Sequence, residues 1–242
     1  MPSLRGSWSI DSLSVSSSSI ITPSAVLWDL DGTIVDSEEY WITAELELAK
    51  RFGAQWDHSD GLIQVGQGLP VTAGAMIARG VELNVPEVID FLASRVKELL
   101  EVSIPWRPGA VELLGELYSR GIPLALVTMS ITSIAEVVAN RIPGASFDVV
   151  ITGDRVPHQK PHPDAYLMAA EQLIVRPQDC LAIEDSPSGM RSAHDAGCAL
   201  IGVRHLVPLD ETIGTAIWDS LSGSTADDLA RVFAQHQGSV DD

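Results

Sequence analysis

Short apolar runs alternate with longer amphipathic segments through the second half of the chain, and this alternation restricts the possible folds more than any other feature. Apolar runs at residues 123–127, 147–151, 180–183 and 198–203 predict buried strands, and helical periodicity separates them at 131–141, 163–173 and 187–196. Strands that alternate with helices at this interval predict a parallel sheet with right-handed crossovers and helices on both faces. The predicted fold class is therefore α/β.

Two aspartates follow another apolar run near the start of the chain. The sequence Ala25-Val-Leu-Trp-Asp29-Leu-Asp31-Gly-Thr33 indicates a buried strand that leads into both carboxylates. Side chains two residues apart leave the same face of a strand, so Asp29 and Asp31 are predicted to lie side by side. Like charges at close range need a nearby cation, because otherwise one carboxylate stays protonated. Taken alone, the motif can also be read as an acidic turn after a buried strand.

Further polar residues come directly after predicted strands. Thr128 follows one strand, and Glu184 and Asp185 follow another. Ligands of parallel sheets bind at the carboxyl ends of the strands, so these side chains mark a candidate site. Lys160 lies between two predicted strands and is flanked by prolines that favour a helix start, which distinguishes it from an ordinary surface lysine.

The first two strands are separated by far more chain than one crossover requires. Residues 29 and 128 mark their ends, whereas a strand-helix-strand unit needs only ~30 residues. Helical periodicity at 37–52, 71–78 and 86–102 accounts for the excess, with a loop at 66–70 and Ser37 as the N-cap of the first helix. These patterns predict the following division: a Ser-rich N-terminal extension at 1–23, an α/β core at 24–36 and 103–242, and an inserted all-α cap domain at 37–102.

The charge balance excludes several classes of partner. Among 242 residues, 33 are acidic and 15 basic, which gives a formal net charge of −18 and disfavours binding to nucleic acids or anionic membranes. No apolar run is long enough to cross a bilayer. Two cysteines beside apolar runs indicate buried thiols in a reducing compartment, so we expect a cytoplasmic protein. We also expect it to act on a small molecule and to be a monomer or weak homodimer.

The motifs together resemble a known family. The stretches Asp29-Leu-Asp31-Gly-Thr33, Thr128, Lys160-Pro-His-Pro and Glu184-Asp185-Ser-Pro-Ser-Gly are similar to the four ordered motifs of the haloacid dehalogenase superfamily, over about residues 24–205. The subgroup with a helical cap after the first motif is the most similar, and it contains phosphatases and beta-phosphoglucomutase. This resemblance implies a Rossmann-like core and a magnesium-dependent phosphatase of a small phosphomonoester. A sugar-phosphate mutase is the alternative, and a binding protein without turnover is less favoured.

Each core motif has a chemical interpretation that agrees with the resemblance. Asp29 is the predicted nucleophile, because a carboxylate can form an aspartyl-phosphate, and Asp31 is the predicted general acid and base. Asp29, Asp31 through its backbone carbonyl, Asp185 and the nearby Glu184 are predicted to hold Mg²⁺, which prefers oxygen ligands. The pair Glu184-Asp185 alone could also be the acidic start of a helix.

The remaining predicted site residues bind the substrate. Lys160 can neutralise Asp29 and a phosphate oxygen together, while Thr128 and Met129 contribute to a phosphate pocket. Substrate choice is assigned to the predicted cap residues Glu38, Trp41 and Gln67.

Two cap positions depart from the family pattern. Trp41 stands where many relatives carry histidine, and Leu69 stands where the mutases carry arginine. The absence of that arginine favours the phosphatase over the mutase.

Overall fold

The computed structural model describes residues 21–65 and 67–240. Most of the predicted N-terminal extension, residues 1–20, lies outside the described residues, as does Gly66 of the predicted cap loop.

A parallel sheet of six strands forms the centre of the described chain, in the order β3-β2-β1-β4-β5-β6. The strands are β1 (Ala25–Trp28), β2 (Leu124–Val127), β3 (Val149–Ile151), β4 (Cys180–Glu184), β5 (Ala199–Val203) and β6 (Ala216–Trp218). The predicted α/β class is confirmed. The sequence patterns missed β6, because a half-buried edge strand of three residues has no recognisable periodicity.

Helices occupy each connection between consecutive strands except that from β5 to β6, and a further helix ends the described chain. They are α1 (Glu38–Phe52), α2 (His58–Gln64), α3 (Leu69–Ala78), α4 (Val85–Val102), α5 (Ala110–Ser119), α6 (Thr132–Ala139), α7 (Asp164–Gln172), α8 (Pro187–Ala196) and α9 (Ala226–Val240). The first four helices come between β1 and β2 without an intervening strand, which confirms the predicted all-α insertion. The domain bounds at 37–102 stay a prediction.

The inserted segment differs from its prediction in two places. Helix α2 was not predicted; it is seven residues long and begins with a capping box between Asp57 and Asp60. The predicted loop at 66–70 is wrong at its end, because Leu69 and Pro70 form the first turn of α3. Proline is favoured in a first helical turn, where its missing N–H leaves no intrahelical bond unmade.

Strand β1 is buried on both faces of the sheet. Ala25 and Leu27 pack into a cluster with residues of α7 and α8, whereas Val26 and Trp28 pack into a second cluster with residues of α5 and α9. None of these four side chains is exposed. A continuous apolar run is what a central strand of a doubly covered parallel sheet requires, so the site that follows β1 has a rigid base.

Gly109 lies where the chain returns from the inserted segment to the core. Its substitution tests how closely the core is packed at that point. Its φ is +84°, and a Cβ there would lie 2.1 Å from the carbonyl oxygen of Leu221. We expect Gly109→Ala to lower the free energy of unfolding by at least about 2 kcal/mol, through backbone strain and overpacking. Chemical denaturation with Gly115→Ala as the control measures this. Gly115 lies in α5 with no atom within 4 Å of an added Cβ, so its alanine variant should be at least as stable as the parent.

Candidate active site

The two aspartates lie in the turn after β1 and not in the strand itself. The strand ends at Trp28, so the prediction that Asp29 and Asp31 share one face of an extended strand is wrong. The chain turns back, with the carbonyl of Leu30 accepting N–H bonds from three following residues and Gly32 at a φ of +82°. Both carboxylates still line one cavity, because the turn brings Asp31 back toward the sheet edge.

Lys160 lies beside Asp29, as the sequence predicts. Its Nζ donates to Asp29 Oδ1 at 2.8 Å, to Glu184 Oε1 at 2.5 Å and to the carbonyl oxygen of Val127 at 2.8 Å. The side chain is 3% exposed. Burial acts to lower the pKa of Lys160, but the charges of Asp29 and Glu184 outweigh burial and hold that pKa above its usual range. The ammonium is therefore ionised between two carboxylates.

Glu184 is fully buried behind Lys160. Its Oε1 also accepts a hydrogen bond from the Tyr166 hydroxyl at 2.5 Å, and its Oε2 accepts one from Ser186 Oγ at 3.3 Å. A Cβ at Gly189 would lie 1.9 Å from Glu184 Oε2, so only glycine fits there. The role of Tyr166 is not predictable from the sequence, since an aromatic residue in an amphipathic helix is typical of ordinary core packing.

Four side chains donate hydrogen bonds to the carboxylate of Asp31. Ser37 Oγ lies 2.6 Å and Trp41 Nε1 3.4 Å from Oδ1, while Ser130 Oγ lies 2.7 Å and Thr128 Oγ1 3.3 Å from Oδ2. Ser37 precedes α1 as predicted, but its hydroxyl makes no capping bond to that helix. The predicted N-cap position of Ser37 is therefore confirmed, although its hydroxyl bonds Asp31 and not the backbone of the helix.

Three buried carboxylates form a candidate metal centre. Asp29, Glu184 and Asp185 place oxygens within 4.8 Å of one another. Burial first, and the charge of Glu184 second, raise the pKa of Asp29 to about 7. Burial and the charges of Asp29 and Glu184 raise the pKa of Asp185 well above its usual range. Such a cluster of hard oxygens suits a divalent cation, whose charge offsets both effects.

Gly32 is what allows Asp185 to approach the turn after β1. A Cβ at residue 32 would lie 2.0 Å from Asp185 Oδ2, and the positive φ there disfavours any side chain. The glycine between the aspartate motif and Thr33 is therefore required twice, by the turn and by the contact with Asp185.

A cavity of about 140 Å³ lies over these groups, between the sheet edge and the inserted helices. Its walls combine core residues with residues of α1, the α2–α3 segment and the Lys160 loop. Among them are Asp29, Asp31, Thr128, Met129, Lys160 and Asp185 from the core, and Glu38, Trp41, Glu45, Gln64, Gln67, Leu69 and Thr72 from the insertion. The structure thus brings all three predicted cap residues to the site, and it adds Glu45 and Gln64, which the sequence analysis missed.

Two carboxylates of α1 are buried in this cavity. Burial raises the pKa of Glu38 to about 8, with Asp31 as the second cause. Burial raises the pKa of Glu45 to about 7, and the hydrogen bond from Trp56 Nε1 to Glu45 Oε2, 3.1 Å long, only partly offsets this. Both groups therefore hold their proton to a higher pH in the folded protein than an exposed glutamate does.

Glu45 gives a prediction for stability against pH. Because its pKa rises on folding from 4.5 to about 7, its contribution to stability is complete below pH 4.5 and is lost as the pH rises to about 7. Relative to Glu45→Gln, the parent should lose about 3 kcal/mol of unfolding free energy across that range. Urea denaturation of both proteins between pH 4.5 and pH 8 measures the difference. Parallel pH profiles for the two proteins would contradict the raised pKa.

Two other expectations can be compared with the described residues. Cys180 and Cys198 are free and buried, as predicted. Among residues 21–65 and 67–240, no helix combines the length and the apolar character needed to cross a bilayer.

The fold and the carboxylate-lysine site are those of a hydrolase family with a parallel sheet and an inserted cap. The sequence pattern of haloacid dehalogenase-like hydrolases matches residues 26–203, so the chain belongs to that family, as its motifs predict.

Several characterised proteins are similar to this chain. Hexitol phosphatase A of Escherichia coli is 35% identical over 179 residues, which cover 73% of this chain and 81% of that protein. Fructose-1-phosphate phosphatase YqaB of Escherichia coli is 31% identical over 188 residues, which cover 75% of this chain and 96% of that protein. The crystal structure of CbbY from Rhodobacter sphaeroides in complex with phosphate has a TM-score of 0.78 and 26% identity, over 86% of this chain and 99% of that one.

Proposed function

We propose that this protein is a magnesium-dependent phosphatase that hydrolyses a small phosphomonoester through an aspartyl-phosphate at Asp29. The observation that carries the proposal is the 2.8 Å contact between Lys160 Nζ and Asp29 Oδ1 at the base of a cavity that Asp31 also lines. The similarity to phosphatases of hexitol phosphates and of fructose 1-phosphate supports the same class of reaction.

In the first step, a carboxylate oxygen of Asp29 attacks phosphorus in line with the leaving oxygen. The new bond joins that oxygen to phosphorus as the bond from phosphorus to the substrate alkoxide breaks. Lys160 offsets the negative charge on Asp29 and on the transferring group. Thr128 and Met129 line the cavity beside Lys160, where their hydroxyl and backbone N–H groups can bind the phosphate oxygens.

Asp31 moves the proton in both steps. Its carboxyl donates a proton to the departing alkoxide and then takes one from the water that attacks the aspartyl-phosphate, which releases inorganic phosphate and restores Asp29. The hydrogen bonds from Ser37 and Ser130 fix the position of this carboxylate. Orientation of this kind is a large part of what a protein contributes to phosphoryl transfer.

The oxygens at the base of the cavity fit Mg²⁺. Asp29, Asp185 and the backbone carbonyl of Asp31 would hold it, with Glu184 behind them through its bond to Lys160. When bound, the cation would neutralise charge on the phosphoryl oxygens and keep Asp29 ionised. Two free, buried cysteines support a reducing compartment, so we propose that the protein acts in the cytoplasm.

A mutase is the second candidate because the fold also resembles that of beta-phosphoglucomutases. A mutase must retain a bisphosphate, and its cap therefore needs a fixed cation for the second phosphate. Among the described residues that line the cavity, Lys160 is the one basic side chain, and it is already bonded to two carboxylates. Water is therefore favoured to take the phosphoryl group from Asp29.

The first prediction from the proposed function tests the nucleophile. Asp29→Asn should reduce phosphate release by at least about 10³-fold, because an amide cannot form the covalent intermediate. A malachite-green assay over hexitol, sugar and short alkyl phosphates measures this, and circular dichroism checks the fold. Asp195→Asn is the matched control, since Asp195 is paired with Arg191 on the surface of α8. Turnover retained in Asp29→Asn would overturn the mechanism. No release by the parent from any phosphomonoester would favour a binding protein.

The second prediction concerns the metal. Chelation should abolish phosphate release, Mg²⁺ should restore it, and Ca²⁺ should inhibit, because its larger and looser coordination positions the reacting groups poorly. Asp185→Asn should weaken Mg²⁺ binding measured by isothermal titration calorimetry, which does not depend on turnover. Activation by Zn²⁺ alone, or unchanged Mg²⁺ affinity in Asp185→Asn, would contradict the assigned site.

The third prediction separates phosphatase from mutase. The parent should release inorganic phosphate from sugar monophosphates without a bisphosphate activator, and it should convert a negligible fraction of beta-glucose 1-phosphate to glucose 6-phosphate. A coupled glucose-6-phosphate dehydrogenase assay, run beside phosphate release, compares the two rates. Isomer formation faster than phosphate release would make the mutase the better assignment.

A further inference from the structure

We propose that Glu45 binds hydroxyl groups at the far end of the substrate's leaving group and thereby selects phosphate esters of long, neutral polyols or sugars. This inference rests on the proposed phosphatase function and names the class of ester that the cavity accepts. Glu45 was not among the residues predicted from the sequence.

Glu45 lies on α1 about two helical turns beyond Glu38. Glu38, Trp41 and Glu45 are spaced by three and four residues, so they lie on one face of the helix, and all three line the cavity. Seven residues separate Glu38 from Glu45, which is a rise of about 10.5 Å along the helix axis. Asp31 and Asp29 affect the titration of Glu38, whereas the charged residue that affects Glu45 is Asp60 of the inserted segment. Glu45 therefore lies at the end of the cavity remote from the phosphoryl-transfer groups.

Only one of the two carboxyl oxygens of Glu45 accepts a hydrogen bond from the described residues. The residue is 4% exposed, and its Oε2 accepts the bond from Trp56 Nε1. No donor within the described residues bonds Oε1. Oε1 is not among the fully buried side-chain atoms that lack a partner, so it is accessible from the cavity that Glu45 lines. A hydroxyl of a bound ligand can donate the hydrogen bond that Oε1 lacks.

The cavity wall that the inserted segment contributes is polar and has no basic side chain among the described residues. Gln64, Gln67 and Thr72 line the same part of the inserted segment with neutral groups that can both donate and accept hydrogen bonds. Glu38 and Glu45 add acceptors, and the insertion contributes no basic residue to the described lining. A second phosphate or a carboxylate on the leaving group would therefore find no cation in this wall, whereas neutral hydroxyls would find hydrogen-bond partners.

The test compares leaving groups of different length on the intact protein. In the parent, kcat/KM for sorbitol 6-phosphate should exceed that for glycerol 1-phosphate by at least about 10-fold, because only the longer ester reaches Glu45. In Glu45→Leu, which has no acceptor, kcat/KM for sorbitol 6-phosphate should fall by about 10- to 100-fold, mainly through KM, and the length preference should be lost. Glu39→Leu is the matched control on α1, because Glu39 is exposed and contacts His58 on the surface.

A second variant distinguishes binding of substrate from support of Trp56. Trp56→Phe removes the N–H donor and leaves the Glu45 carboxylate in place. The preference for the longer ester should survive in Trp56→Phe. If Trp56→Phe reproduces the loss seen in Glu45→Leu, Glu45 acts by holding Trp56 and the proposal is wrong. Thermal denaturation of both variants confirms that they are folded.

Other outcomes separate this proposal from the function beneath it. If the parent hydrolyses glycerol 1-phosphate and sorbitol 6-phosphate with equal kcat/KM, the role of Glu45 is overturned and the phosphatase function stands. A strong preference for glucosamine 6-phosphate over glucose 6-phosphate would mean that Glu45 binds an ammonium group, which also overturns the proposal. No phosphate release by the parent from any of these esters would instead reject the proposed function itself.

Discussion

The buried ammonium of Lys160 is the interaction on which the site depends. It lies between Asp29 and Glu184, at 2.8 and 2.5 Å, and those two carboxylates follow and end the adjacent strands β1 and β4. Removing one partner of such a group leaves an uncompensated buried charge, which typically costs about 3–5 kcal/mol. The ammonium therefore stabilises the pairing of two acidic strand ends and at the same time sets the charge of the proposed nucleophile.

Close packing around this ion network explains several residues that carry no chemistry of their own. Residues 32 and 189 must be glycine, because an added Cβ at either one would lie about 2 Å from a carboxylate oxygen. Tyr166 supplies a further donor to Glu184 from α7, and burial, followed by the charges of Glu184 and Asp29, raises the pKa of its hydroxyl well above the usual range. The network is thus held by neutral residues whose size matters as much as the charges.

The sequence predicted the core better than the wall of the cavity, for a physical reason. Strand β4 and helix α8 were predicted nearly to the residue, because continuous burial and the N-terminal proline of α8 leave clear local signals. Glu45 and Tyr166 were missed, since their roles arise from contacts across the tertiary structure. Ser37 was correctly predicted as the N-cap residue of α1, but the bond from its hydroxyl to Asp31 has no signal in the local sequence pattern.

The order of the strands in the sheet has a consequence for how the protein is made. Strand β1 lies at the middle of the sheet and leads directly into the acidic motif, yet Lys160 follows Asp29 by 131 residues in the chain. A ribosome adds about 5–20 residues per second, so the aspartates leave the exit tunnel many seconds before their cation and before strand β4 exists. During synthesis the nascent chain therefore holds an unpaired acidic segment, and the core can close around it only when the fourth strand arrives.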